Sequence, residues 1–464
     1  MDALPDQILY EIFARLESIS EKTALSLSCK RLYDLGNEAT TRLKIGCGLN
    51  PANEALASLC HRFQNLETLE ISYSGWRSKL GKQMDDEGLL ILSRNCPSLL
   101  KLTLSYCTVI TDAGLSHLAS CLKLSALKLN FTPRITGCGV LSIVISCKRL
   151  RSFHLIRCLN VGNGEWLEYL GKLEWLEDLS VKNCRAIGDD DLIKLGTCWS
   201  KLKRVQIEVY ANYKNGRSTL DDPLLKQHIS CENLVELSLV NCIMDPGRGL
   251  SCVLPACPNL EKIHLDNCFG VRDCDIIAMA QSSRNLVSLS LQVPFIFTSS
   301  FPVNYQLRLT DTALLAVAQN CSRLESVRIS YSDGEFPLFS SFSTDAILAL
   351  IKNCPIRELS LDHFYSFGDS GMEALSAAEW LESLELVRCQ EISDEGIQFL
   401  SNFPRLRVVR LIKCLGVTDE GVKPLVGSHK LALLVVEDCP QLSEKGVQGA
   451  AKNVSFRQDL SWMY

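Results

Sequence analysis

From Leu99 onward apolar and polar residues alternate for a few positions, as in LLKLTL, and then pause at a turn. Apolar residues then recur at threes and fours, as at Ala113, Leu115, Leu118 and Ala119 behind Asp112. The first period suits a half-buried strand, the second one face of a helix. This alternation recurs. Aligned on the first leucine of each L-x-x-L-x-L step, the units begin at Leu66, Leu99, Leu124, Leu150, Leu176, Leu202, Leu234, Leu260, Leu286, Leu324, Ile356, Leu381, Leu406 and Leu431. Most steps are 25 or 26 residues, and the longer ones follow Leu66, Leu202, Leu286 and Leu324. A shorter RLKIGCG at 42–48 reads as a partial unit in front.

Ser or Thr followed by Asp opens many of the helical stretches, as at Thr111-Asp112, Ser393-Asp394 and Thr418-Asp419. A hydroxyl cap with an acid in the first turn favours a helix start. One strand and one helix cannot seal their own apolar faces, so the units must stack into one continuous core. Parallel strands pack about 4.8 Å apart and helices about 8–10 Å, so the stack bends with its strands inside. The expected fold class is α/β: a solenoid of about 14 repeats, horseshoe or open ring, with an inner parallel sheet and outer helices.

Residues 1–40 do not share the repeat. In LPDQILYEIFARLESISEKTALSLSCKRLYDL, Pro5 suits a first helical turn, and Ile8, Leu9, Ile12, Phe13 and Leu16 follow at helical spacing. A second apolar set, Ala24, Leu25, Leu27 and Leu32, lies behind a polar break. So short a helical unit cannot bury a good core by itself and needs a docking surface or a partner.

Two resemblances follow from these residues. The repeat resembles the cysteine-containing leucine-rich repeat over about residues 41–455. Leu4-Pro5-Asp6, Ile12-Phe13 and LSLSCKRLY at 25–33 resemble the F-box. The layout is most similar to the plant auxin- and jasmonate-receptor branch of F-box proteins. It divides the chain into an F-box at 1–40, a solenoid at 41–455 and a tail or cap at 456–464.

The resemblance implies that Leu4, Pro5, Ile8, Leu9, Ile12, Phe13, Leu16, Leu25, Cys29 and Leu32 form a helical surface gripping a Skp-type adaptor that docks on a cullin. It further implies a non-catalytic receptor that brings protein substrates to a ubiquitin ligase. The alternatives are a co-receptor that needs a small molecule and a repeat protein outside the ubiquitin system. The family often carries Trp after Cys-Lys-Arg, where this chain has Leu32 and then Tyr33.

Composition narrows the chemistry. The chain has 464 residues, with 48 Lys and Arg against 53 Asp and Glu, for a net charge of −5. Such a balance offers no long-range attraction to phosphate backbones, so nucleic acid is not an expected partner. No stretch is long and apolar enough for a membrane span, and the first residues lack a secretory pattern, so a cytoplasmic or nuclear site is expected.

The chain holds 22 cysteines. Cys107, Cys158, Cys184, Cys242, Cys268, Cys389, Cys414 and Cys439 follow strands. Cys96, Cys121, Cys147, Cys198, Cys231, Cys257, Cys321 and Cys354 close helices. They read as small buried hydrophobes, and without any C-x-x-C pair no zinc site is expected. Phosphate-loop, dinucleotide, zinc-protease and serine-elbow motifs are absent too, so no enzyme is expected.

The candidate binding surface has two parts. Side chains between the strand leucines face the inner wall, in a column that includes His154, His264 and Arg328. In the last three units Val387, Val408, Ile412, Leu433 and Val435 make that wall apolar, to be covered either by a partner or by the tail RQDLSWMY. The four insertions lie between strand and helix on one rim, and they gather Trp76, Tyr210, Tyr213, Phe295, Phe297, Phe301, Tyr305, Phe336, Phe339 and Phe342. Aromatic anchors of that kind fill pockets in protein recognition; packing back onto the rim is the competing expectation. Trp76, Tyr210, Phe295, Phe297, Phe301, Phe336, Phe339, His264 and Arg328 are therefore the substrate-binding candidates. No cofactor is expected. An inositol polyphosphate or small-molecule ligand of the receptor branch stays open, with no residues carried over for it.

Overall fold

Repeating strand–turn–helix units build most of the chain in the computed structural model. It describes residues 4–16, 18–46, 51–75, 77, 81–162, 164–184, 194–209, 230–242, 252–294, 309–331, 342–428, 430–459 and 461. The chain divides into two compact units, the first Met1–Arg204 with Glu208–Ser218, the second Val205–Ile207 with Thr219–Tyr464. Within each, strands lie in chain order.

In the first unit the strands Arg42–Ile45, Thr68–Ser72, Lys101–Ser105, Ala126–Asn130, Ser152–Ile156 and Asp178–Cys184 pair in parallel, each with the next. In the second the series runs from Glu236–Val240 through Lys262–Asp266, Ser288–Val293, Ser326–Tyr331, Glu358–Asp362, Ser383–Val387, Val408–Ile412 and Leu433–Glu437 to Asn453–Arg457, again all parallel. Helices such as Asp86–Asn95, Asp112–His117 and Gly137–Ser146 pack successively against one another. Each unit is therefore an α/β leucine-rich-repeat solenoid.

All fourteen lead residues are at most 2% exposed, so the spacing marks the core column. With Arg204–Val209, which is split between the two units, the described residues hold sixteen strands, two beyond the fourteen. Arg42–Ile45 is followed by a helix, Ala52–Arg62, and so belongs to a full unit. The last strand, Asn453–Arg457, carries no leucine and crosses the expected start of the tail by two residues.

Three ladders join consecutive units. The first explains the Thr-Asp-x-Gly step. Thr111 donates its backbone N–H to Asp86 Oδ1 at 2.8 Å and its hydroxyl to Oδ2 at 2.6 Å. Thr136 repeats both bonds to Asp112, Thr418 to Asp394 and Ser443 to Asp419. Each Asp thus ties its own helix start to the cap of the next unit. The carboxylate lies against the following helix, where a Cβ on Gly114, Gly396 or Gly421 would overlap Asp86, Asp369 or Asp394.

The second ladder uses the left-handed backbone. Tyr106, Arg157, Asn183, Asn241, Asn267, Arg388, Lys413 and Asp438 have φ between +50° and +58°, and each directly precedes a post-strand cysteine. An L-residue there costs about 1–2 kcal/mol. Backbone hydrogen bonds to the end of the next strand offset it, as from Arg388 N–H to Ile412 O at 2.8 Å and from Lys413 N–H to Glu437 O at 2.9 Å.

The third ladder is made of thiols. Cys389 donates to Leu361 O and Val387 O at 3.5 and 3.6 Å, Cys414 to Leu386 O and Ile412 O, and Cys439 to Leu411 O and Glu437 O. Burial pushes the Cys107, Cys147, Cys321 and Cys389 thiols up to about 12. Burial disfavours the thiolate at these four positions, whereas hydrogen bonds with Cys184 and Cys414 shift Cys158 and Cys439 down. Among the described residues no group of three or more His, Cys, Asp or Glu is placed to hold a metal ion.

In front of the repeats stand three helices, α1 (Asp6–Arg15), α2 (Ile19–Ser26) and α3 (Lys30–Ala39). Ser18 and Glu21 close a capping box at the start of α2. Among the described residues Leu9, Phe13, Leu32 and Leu35 form the buried core, with Tyr10, Leu25 and Ala39 against it. Tyr10 donates its hydroxyl to Glu38, whose carboxylate pushes the phenol up to about 12. Tyr33, which follows the position where the family's Trp is absent, lies 4.6 Å from the Arg62 guanidinium; that group also covers Phe63 and donates to Asn37 Oδ1 at 2.8 Å. The front helices are thereby joined to the first repeat helix.

Candidate functional site

The ten front residues separate into three groups, buried, half-buried and exposed. Leu9, Phe13 and Leu32 are 1–3% exposed. The expectation that they grip a partner is corrected here: they hold α1 against α3. Leu16 and Leu25 are half-buried. Leu4, Ile8 and Ile12, at 39%, 43% and 36% exposed, recur every four residues and so share a stripe on and just ahead of α1. Pro5, next to Leu4, and Cys29, at the N-cap of α3, are exposed as well.

Leu27, one of the second apolar set, is the most open large apolar residue described, at 72%. It sits in the turn after α2, where helical spacing no longer dictates direction. Arg31 fixes the start of α1 by donating to Leu4 O at 2.7 Å and pairing with Asp6 at 2.6 Å.

The inner-wall column is in register. In the first unit Lys44, Glu70, Thr103, Lys128, His154 and Ser180 are successive partners, and in the second Ser238, His264, Ser290, Arg328, Ser360, Glu385, Arg410 and Val435. His264 lies 3.9 Å from Asp266. Arg328 pairs with Glu385 at 3.0 Å and donates to Ser360 at 3.2 Å, so it is held in a local network.

Around Asp178 the first unit gathers His154 at 3.2 Å and Arg204 at 2.9 Å. Burial works to raise this carboxyl, but the hydrogen bonds and charges of His154 and Arg204 outweigh it and hold it down at about 2. Tyr106 and Phe131, consecutive left-handed positions, stack with ring centres 5.4 Å apart and stay half-exposed at the end of this wall. Sequence reasoning missed this pair because neither residue falls in the strand period.

Most insertion aromatics, Trp76, Tyr210, Tyr213, Phe295, Phe297, Phe301, Tyr305, Phe336 and Phe339, lie outside the described residues, as do Trp462, Met463 and Tyr464. Phe342 is described and is 1% exposed, with its N–H donated to the Tyr331 hydroxyl at 3.1 Å. Its place among the rim anchors is corrected: it is a core residue. Val387, Val408, Ile412, Leu433 and Val435 are half-buried.

Comparison with known proteins agrees with this geometry. A family model described as Leucine Rich repeat matches residues 95–119 and 377–401. F-box/LRR-repeat protein 12 of Arabidopsis thaliana is 29% identical over an alignment of 167 residues, taking in 28% of this chain and 42% of that protein. The chain thus spans less than half the length of this curated relative. A chain in the crystal structure of the yeast Rad7 and Elc1 complex aligns over 97% of this chain and 100% of its own, with a TM-score of 0.54 at 17% identity. The internalin InlF of Listeria monocytogenes aligns over 86% and 88%, with a TM-score of 0.46 at 18% identity.

Fold and matches together define a leucine-rich-repeat protein. Over 28% of its length the chain is also similar to a protein described as an F-box/LRR-repeat protein.

Proposed function

We propose that this chain is the substrate-receiving subunit of an SCF-type ubiquitin ligase, binding a Skp-type adaptor, and through it a cullin, with its front helices. The observation that carries the reading is the apolar stripe Leu4, Ile8 and Ile12, with Leu27, left open on a unit whose own core has four buried side chains. Exposed apolar area of that kind is covered by a partner. Pro5 and Cys29 flank the stripe, while Leu9, Phe13 and Leu32 shape it from behind.

The target protein binds the inner wall, where Lys101, Lys128 and the Tyr106–Phe131 pair stand in the first unit and His264 and Arg328 in the second. The receptor makes or breaks no bond. It holds a lysine of the target near a charged ubiquitin carrier and so raises effective concentration.

The test is copurification of the full chain with a Skp-type adaptor. Ile8→Asp with Ile12→Asp changes only exposed positions, so the melting temperature should hold while adaptor binding falls by more than about a hundredfold. Adaptor retained by a chain lacking residues 1–40 would refute the reading.

A further inference from the structure

The strand starts of the second unit carry a second recognition feature. A cavity of about 300 Å³ is lined by Glu382, Pro404, Arg405, Leu406, Arg407 and Lys430. Three cationic side chains face one carboxylate. Glu382 is already engaged, by Arg357 at 3.4 Å. Among the described residues neither Arg405 nor Arg407 has a carboxylate within ion-pair distance, and Lys430 is held by donating to Ser401 O at 2.5 Å. In a chain of net charge −5, this is an uncompensated local excess of positive charge.

One of these cations is oriented in advance. The Arg405 guanidinium lies 4.5 Å from the centre of the Trp380 ring, and Trp380 is itself 42% exposed. A guanidinium stacked by its face keeps its N–H edge free for two parallel hydrogen bonds to an oxyanion. The cavity is at the small end of the range for ligand pockets, roughly 300–1,000 Å³, and its charged lining does not suit an apolar small molecule. It fits one side-chain-sized anion, with the indole beside it to contact the chain that carries the anion. A phosphoryl group brings about −1.5 to −2 charges and three acceptor oxygens, against an excess of two positive charges in the lining.

We propose that Arg405, Arg407 and Lys430, with Trp380 as flanking platform, form a binding site for a phosphorylated side chain on a protein segment. None of these residues belongs to the adaptor-facing helices or to the inner-wall column. The occupant of the site would therefore be selected by phosphorylation, whichever target fills the wall.

The test uses the full chain without adaptor, so its outcome is separate from that of adaptor docking. The probes are a fluorescent short-peptide pool, degenerate around a central phosphoserine, and the same pool with serine. The phosphoserine pool should bind at least about tenfold tighter than the serine pool, and inorganic phosphate should displace it. Arg405→Gln with Arg407→Gln should lower that binding by more than about tenfold, while Lys148→Gln with Arg149→Gln, an exposed basic pair of the first unit, should leave it unchanged. Melting curves of both variants should match the parent. Equal binding of the two pools, undiminished binding by the Arg405/Arg407 variant, or inorganic phosphate bound as tightly as the phosphoserine pool would each overturn the proposal.

Discussion

The front helices and the repeats solve the burial problem in opposite ways. Behind Arg42 every lead residue is sealed, and carboxylate, backbone and thiol ladders bond units such as those at Leu381, Leu406 and Leu431 to one another. Ahead of it, four side chains make a core while Leu4, Ile8, Ile12 and Leu27 stay open. The repeats are finished by their own neighbours; the front unit leaves apolar side chains open. Stability and recognition are therefore assigned to different residues even where they alternate along one helix.

Changing Phe13 to Ala should have the largest effect. It removes the biggest side chain of a core with few others, at a cost of about 3–5 kcal/mol. Its signature should be local: thermal melting should gain an early step from α1 to α3, with the repeat transition unmoved. A single shifted transition would erase the contrast between the regions.

Within the repeats, Asp394→Ala leaves the Thr418 N–H and hydroxyl without their acceptor. Gly421→Ala drives a methyl into the same carboxylate. Each should cost about 1–3 kcal/mol in urea unfolding, and the pair should be less than additive because both act on one contact.

Acid should act next. The folded Asp178 carboxyl, held at about 2, lies below its ordinary range near 4, so its contribution is complete above the unfolded value. It is then lost as pH falls from about 4 toward about 2, and amounts to about 1–2 kcal/mol after screening by water. His154→Ala should flatten the dependence of the urea midpoint over that window. The smallest effect concerns labelling of the native chain: mass spectrometry after brief alkylation should find Cys29, Cys138 and Cys274 modified while the ladder cysteines stay unreacted.

The sequence carries the repeat in full view, because leucine spacing and strand alternation are local periods. The fourteen lead positions and the polar inner column follow from them directly. What stayed hidden depends on neighbours a unit away. Asp394 reads as a helix-start acid, and only stacking reveals that it accepts from Thr418, 24 residues on. Asn453–Arg457 has no leucine to announce it, and becomes a strand because Leu433–Glu437 offers it an edge. At the front, helical spacing identified apolar residues correctly but not their direction: Leu9 and Phe13 turn inward, Ile8 and Ile12 outward. Phe342 misled for a related reason, since it follows an insertion in sequence yet packs beside Tyr331.

Hydrogen exchange of the full chain, alone and with a Skp-type adaptor, tests most directly whether the front unit waits for a partner. Alone, amides of α1 and of the turn at Leu27 should exchange well ahead of the strands Lys101–Ser105 and Ser383–Val387; with adaptor they should slow sharply while the strands do not change. Front amides already as protected as the strands, or protection that appears on the strands instead, would contradict it.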